Sequence, residues 1–168
     1  MRKALLLSLL LCGTATIAGA QAKVSGTLAC PRASVSETGG DGTQIILFSR
    51  TSCTWSTPMV IAGTKSTTAT DVEIGDMNGA NGTGRGHGFS TSLMENGDTA
   101  ITKYEGTVSA KKDGAVSFRG TWKFARGTGK FAGISGGGTY SGTGNNDGGS
   151  VNVTGHYTIA SGKGKKAK

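Results

Sequence analysis

Arg85 and His87 are the residues whose types and spacing most invite chemistry. They alternate with Phe89 and Leu93 along a run of period two, so all four share one face of a strand. An unpaired guanidinium on an apolar face is costly, so Arg85 must reach solvent, a carboxylate or a ligand. Two readings follow. In one, Arg85 and His87 stand at the mouth of a cavity. With Tyr104, Trp122 and Tyr140 they orient a small, partly apolar ligand through an acidic or polar head. In the other, the glycine-rich run from Gly79 to Gly88 is a loop and both side chains are simply hydrated.

Other constellations supply less. Asp71, Glu73 and Asp76 alternate with apolar residues and read as an outward face, with a calcium site as the alternative to plain solvation. His156 falls on the polar face of its segment and reads as a surface histidine. The sequence contains no H-E-x-x-H, no G-x-S-x-G and no P-loop. Runs such as Gly82-Thr83-Gly84 lack the following helix that a phosphate cradle needs. No catalytic residue, metal ligand or cofactor is assigned.

The elements that must position these residues are strands. The chain has 168 residues, 30 of them glycine and 2 proline, and its net charge is +8. Glycine is more than twice as frequent as usual but follows no G-X-Y period, which excludes collagen. Apolar residues are spread evenly, unlike those of a disordered chain. Met1-Arg2-Lys3, the apolar run from Ala4 to Leu11 and Ala18-Gly19-Ala20 form the pattern of a secretory signal peptide. Cleavage is expected after Ala20, with Ala22 as the alternative. The run is far shorter than the roughly 20 apolar residues that span a bilayer, so no stable membrane anchor is expected. The protein is read as secreted or periplasmic.

Without residues 1–20, 16 basic and 10 acidic residues remain, and Lys163, Lys165, Lys166 and Lys168 lie in a terminal Gly/Lys tail over 161–168. The body is then 12 against 10, close to neutral. A nucleic-acid partner, which would need a basic stripe on the folded surface, is not expected. Two cysteines survive processing. Cys30 and Cys53 are separated by 22 residues, with no CxxC and no neighbouring histidine. In an exported chain an even pair of this kind reads as a disulfide, which contributes about 3 kcal/mol on the chain-entropy model.

Period-two alternation predicts strands over Arg85–Met94, Thr99–Ala110, Ala115–Phe124, Gly137–Gly144 and Ser150–Ala160. Turns fall at Glu95-Asn96-Gly97-Asp98, Lys111-Lys112-Asp113-Gly114 and Asn145-Asn146-Asp147-Gly148-Gly149. Weaker strands are expected over Lys23–Ala29, Gln44–Ser49, Pro58–Ala62 and Ser66–Ile74. Beyond the signal peptide no segment has a helical period. The expected fold is all-β: one domain over residues 21–160, a small antiparallel up-and-down barrel of about eight strands, with a β-sandwich as the alternative. Alternation turns Val116, Phe118, Trp122 and Phe124 inward, with Tyr104 and Val108, and with Val151, Val153, Tyr157 and Ile159.

The runs Gly120-Thr121-Trp122-Lys123-Phe124, Gly127-Thr128-Gly129-Lys130-Phe131-Ala132-Gly133 and Gly136-Gly137-Gly138-Thr139-Tyr140 resemble the allene oxide cyclase and dirigent barrel superfamily. They are most similar to its bacterial secreted members. The resemblance covers about a sixth of the chain, and implies an eight-stranded barrel with a ligand-sized interior. The acidic and tyrosine residues of the characterised enzymes find no matching positions here, so none is carried over.

Three functions compete. The first is a binding module that holds a small, partly apolar molecule among Tyr104, Trp122, Tyr140 and Tyr157. The second is an enzyme of the isomerase or cyclase kind, which needs a paired acid and base inside the barrel. No inward carboxylate is identified, which counts against it. The third is a structural or cell-envelope protein whose barrel is filled by side chains. Strands at a barrel seam are also able to pair between copies in a homo-oligomer.

Overall fold

The computed structural model describes residues 21–40 and 43–160; the expected signal peptide and basic tail lie outside the described residues. Ten strands form: β1 Ala22–Pro31, β2 Ser34–Gly40, β3 Gln44–Thr57, β4 Val60–Ile61, β5 Thr64–Asn78, β6 Thr83–Met94, β7 Thr99–Ala110, β8 Val116–Gly127, β9 Ile134–Asn145 and β10 Gly148–Ile159. From β5 to β10 each strand pairs antiparallel with the next. β10 then pairs with β1, β1 with β3, and β3 with β5. The sheet closes on itself as an eight-stranded barrel, and closure rather than sandwich packing removes its edges. β2 is one strand beyond the barrel, laid along β3, and β4 is a two-residue bridge to β5.

Turn chemistry explains much of the meander. In the β6–β7 hairpin, Gly97 takes φ +83° and its N–H donates to the Met94 carbonyl at 2.9 Å. A side chain there would be strained, and the Asn-Gly pair is suited to it. β2 is a strand that alternation did not reveal, because Ser34–Gly40 holds a single apolar residue, Val35.

The packed core occupies one end of the barrel. Ile61, Ala100 and Phe131 are completely buried, and Met59, Met94, Trp55, Trp122, Phe124 and Ile134 pack around them. Phe131 belongs to a 3-10 turn, Gly129–Phe131, inside a passage whose glycines gave no periodicity to read. Asp98 docks that turn, since its Oδ2 accepts from the Lys130 N–H at 3.1 Å. The turn folds back under the barrel and Phe131 plugs it.

The seam between β1 and β3 is narrow. Only Thr27, Leu28 and Ala29 of β1 are paired with β3, with a register shift among them. Beyond Ala29 the expected disulfide joins Cys30 to Cys53 across the two strands. It clamps the seam where β1 gives way to β2.

The inward faces read for β7, β8 and β10 hold. The phase on β5 and β6 is the reverse of the one expected. Phe89, Leu93, Val72, Ile74, Phe48 and Ile46 are all exposed on the outside of β3, β5 and β6. Arg85 and His87 do share a face with Phe89 and Leu93, and that face is the outer one. A strand's alternation defines two faces without saying which is inside, and equating apolar with inward fails where the interior is polar.

Candidate functional site

Beyond the packed end the barrel holds a cavity of about 460 Å³. Its rim is marked by the exposed Arg32, Asn145 and Asn146, and its inner end by the buried Trp55, Met59, Ser92 and Trp122. β6 makes the room. Along the cavity its inward residues are Gly84, Gly86, Gly88, Ser90 and Ser92, none larger than serine, before Met94 enters the packed end. Side chains from adjacent strands fold over these glycines. A Cβ on Gly86 would collide with the Glu73 carboxylate, and one on Gly88 with the Tyr104 hydroxyl.

Asp71 and Glu73 point inward from β5, together with Ala69, Gly75 and Met77. This corrects the outward face expected for them. Asp76 is exposed and its Oδ2 accepts from Gln44 Nε2 at 2.8 Å, so the three acids do not converge on a calcium ion. The Glu73 Oε2 accepts from the Tyr104 hydroxyl at 3.2 Å. Tyr104 meets Tyr140 edge to face, with ring centroids 5.7 Å apart, and Tyr140 lies 6.5 Å from Phe118. The cavity is therefore two-sided. β5 and β6 present carboxylates and serines, while β7–β10 present Tyr104, Phe118, Tyr140, Val151 and Val153.

Burial pushes the carboxyls of Asp71 and Glu73 above the ordinary carboxylate range. A hydrogen bond from Ser90 opposes the shift at Asp71. At Glu73 the Tyr104 hydroxyl opposes it and Asp71 adds to it. The Tyr104 hydroxyl is driven up strongly by burial and by the negative charge of Glu73 and Asp71. Tyr140 is pushed up to about 12, chiefly by burial. The charge of His87 offsets part of the shift at Glu73, and Arg32 and Arg85 line the cavity from its exposed rim; every Lys and Arg among the described residues is exposed. Trp55, 6 % exposed, has an indole N–H with no partner among the described residues.

Asp71 Oδ2 also lies 3.4 Å from Cys53 Sγ, which, bonded to Cys30, has no hydrogen to donate. The three donor atoms of Cys30, Cys53 and Asp71 fall within 4.8 Å of one another. Metal binding there would require two thiolates, and the disulfide removes both.

The structure places Tyr104, Trp122 and Tyr140 around the cavity, as expected. Trp122 is held by its indole N–H, which donates to the carbonyls of Thr139 and Thr154 at 3.1 and 3.2 Å. Tyr157 is turned to the packed end, where its hydroxyl accepts from the Ala62 N–H at 2.8 Å. His87 and His156 are exposed on the outside. Arg85 is exposed at the rim, opposite Asp76 in the β5–β6 register, and borders a second depression of about 610 Å³. Arg85 thus lines the cavity with Tyr104, Trp122 and Tyr140 from its exposed edge, whereas His87 does not, and the anticipated cluster is formed only in part. Asp71 and Glu73 are the functional residues that alternation puts on the wrong face, although a legible signal accompanies them: Gly84, Gly86, Gly88, Ser90 and Ser92 fall at every second position. The chain matches no protein-family model, and comparison with curated proteins and with solved structures likewise finds no match.

Proposed function

We propose that the protein is an exported binding module that holds a small, partly apolar molecule inside the barrel. The observation that carries this reading is the cavity, about 460 Å³, within the range of small-molecule sites and walled by aromatic rings with a few convergent polar groups. A barrel filled by its own side chains does not accommodate such a space. Export rests on the signal-peptide pattern, and the Cys30–Cys53 disulfide suits an oxidising compartment. The resemblance to allene oxide cyclase and dirigent barrels points to the same ligand-sized interior.

A second reading has an observation of its own. Glu73 and Tyr104, with Asp71 beside them, are the inward acid–base groups that an isomerase or cyclase requires. Both readings need an occupied cavity, so occupancy is tested first. Native mass spectrometry of protein taken from its own secretory compartment is expected to show a discrete excess mass. Octanol titrated into the isotope-labelled protein is expected to shift the side-chain signals of Tyr104, Tyr140 and Trp122. If no such molecule moves those interior signals at millimolar concentration, the binding reading is wrong.

A further inference from the structure

Resting on that reading, we propose that the ligand is an organic cation: an apolar body carrying a protonated amine, seated with its ammonium group against Asp71 and Glu73. Both carboxylates line the cavity, and both belong to the wall formed by β5 and β6. The groups facing them are few. Glu73 is met by the Tyr104 hydroxyl from β7, by Asp71 on its own strand and by Tyr140 from β9, with the charge of His87 reaching it through the wall. Asp71 is met by Ser90 from β6 and by the Cys53 sulfur from β3. None of these inward partners is a cation; the two arginines that line the cavity, Arg32 and Arg85, stand at its exposed rim.

A buried carboxylate is ordinarily paired, and an unpaired one raises the free energy of the fold. Natural proteins tolerate such a conflict at functional sites. An ammonium group offers three donors to the free acceptor positions of two carboxylates. The opposite wall, with Phe118, Tyr140 and Val153, suits an apolar body and leaves too few oxygens for a bare metal ion. Trp55, buried at the inner end of the same cavity, keeps an indole N–H without a partner. The cavity wall therefore carries two carboxylates that accept only neutral hydrogen bonds and, among the described residues, one buried donor without a partner. An acidic head beside Tyr104 and Tyr140 would meet two like charges, since the arginines that line the cavity stand at its exposed rim.

The test compares three molecules of one shape. Octylamine, octanol and octanoate are titrated at pH 7.5 into the isotope-labelled protein, following the interior Tyr104 and Tyr140 signals. Octylamine is expected to bind roughly tenfold more tightly than octanol, the difference between a charge-assisted and a neutral hydrogen bond, and octanoate more weakly than either. The Asp71→Asn, Glu73→Gln double variant is expected to lose that amine advantage. If the double variant does not fold, as judged by its amide spectrum, the ranking in the natural protein still decides. Octanol binding without an amine advantage, or octanoate binding best, overturns the cation proposal and leaves the binding module standing. If none of the three moves the interior signals, both fall.

Discussion

Replacing Cys30 and Cys53 together by alanine tests how the cavity wall is held. The two cysteines are 23 positions apart, so the bond removes about 11 cal/mol/K of chain entropy from the unfolded state, or about 3.4 kcal/mol at 25 °C. The structure gives a reason for the folded state to feel the loss as well. β1 is paired to β3 through only Thr27, Leu28 and Ala29, whereas its other side is paired to β10 along its whole length. Few backbone hydrogen bonds near the bond remain to hold the seam. For a domain of about 140 residues the loss corresponds to a fall in Tm of about 12 °C. Urea unfolding followed by tryptophan fluorescence reads the free energy, and a thiol-reduced sample of the natural protein is the control. A loss below about 1 kcal/mol at an unchanged m-value would refute the reasoning, because the seam would then be held by something other than the bond.

Phe131→Ala should cost about 3–5 kcal/mol in the same assay, since a fully buried plug leaves a void that the barrel end is poorly placed to collapse; a loss under 1 kcal/mol would show that the plug is dispensable. Phe89→Ser should stay within about 0.5 kcal/mol of the natural protein, because Phe89 is 54 % exposed; a loss of several kcal/mol would mean that β6 has the opposite phase. Burial raises the folded-state pKa of Asp71 above its unfolded value, so its contribution is fully present at low pH and is lost as pH rises through the folded pKa. Asp71→Asn should therefore gain stability relative to the natural protein between pH 4 and pH 7.5, and a relative loss over that interval would contradict the inward, unpaired placement. Tyr104→Phe removes the hydrogen bond that holds Glu73 down, so the Glu73 midpoint, followed by carboxyl-carbon NMR, should move upward; a downward or absent shift would show that the bond does not form in solution.

Much of the fold was legible because its signals are local. Asn-Gly at 96–97 and Asp-Gly at 113–114 mark turns, and the faces of β7, β8 and β10 follow from large apolar residues at alternate positions. Tyr104 and Trp122 are legible for the same reason, as apolar bodies on apolar faces, whereas Tyr140 stands among the glycines of one face of β9. The site's chemistry was not legible in that way. On β5 and β6 both faces are mixed, Val72 and Ile74 against Asp71 and Glu73, and Phe89 against Gly88 and Ser90. Where neither face is uniformly apolar, the phase depends on what the neighbouring strands present.

The all-β class, the antiparallel meander and the pairing of Cys30 with Cys53 are readable without the structure. The first two follow from residues close in the chain, and the third from the even pair that remains if the expected signal peptide is removed. Closure of the barrel through β1, β3 and β5, the Phe131 plug at one end and the inward turn of Asp71 and Glu73 depend on long-range contacts. Strand alternation separates two faces. Which face becomes the inside is set by closure, which brings β3 beside β5 and places the glycines of β6 where Glu73 and Tyr104 need room.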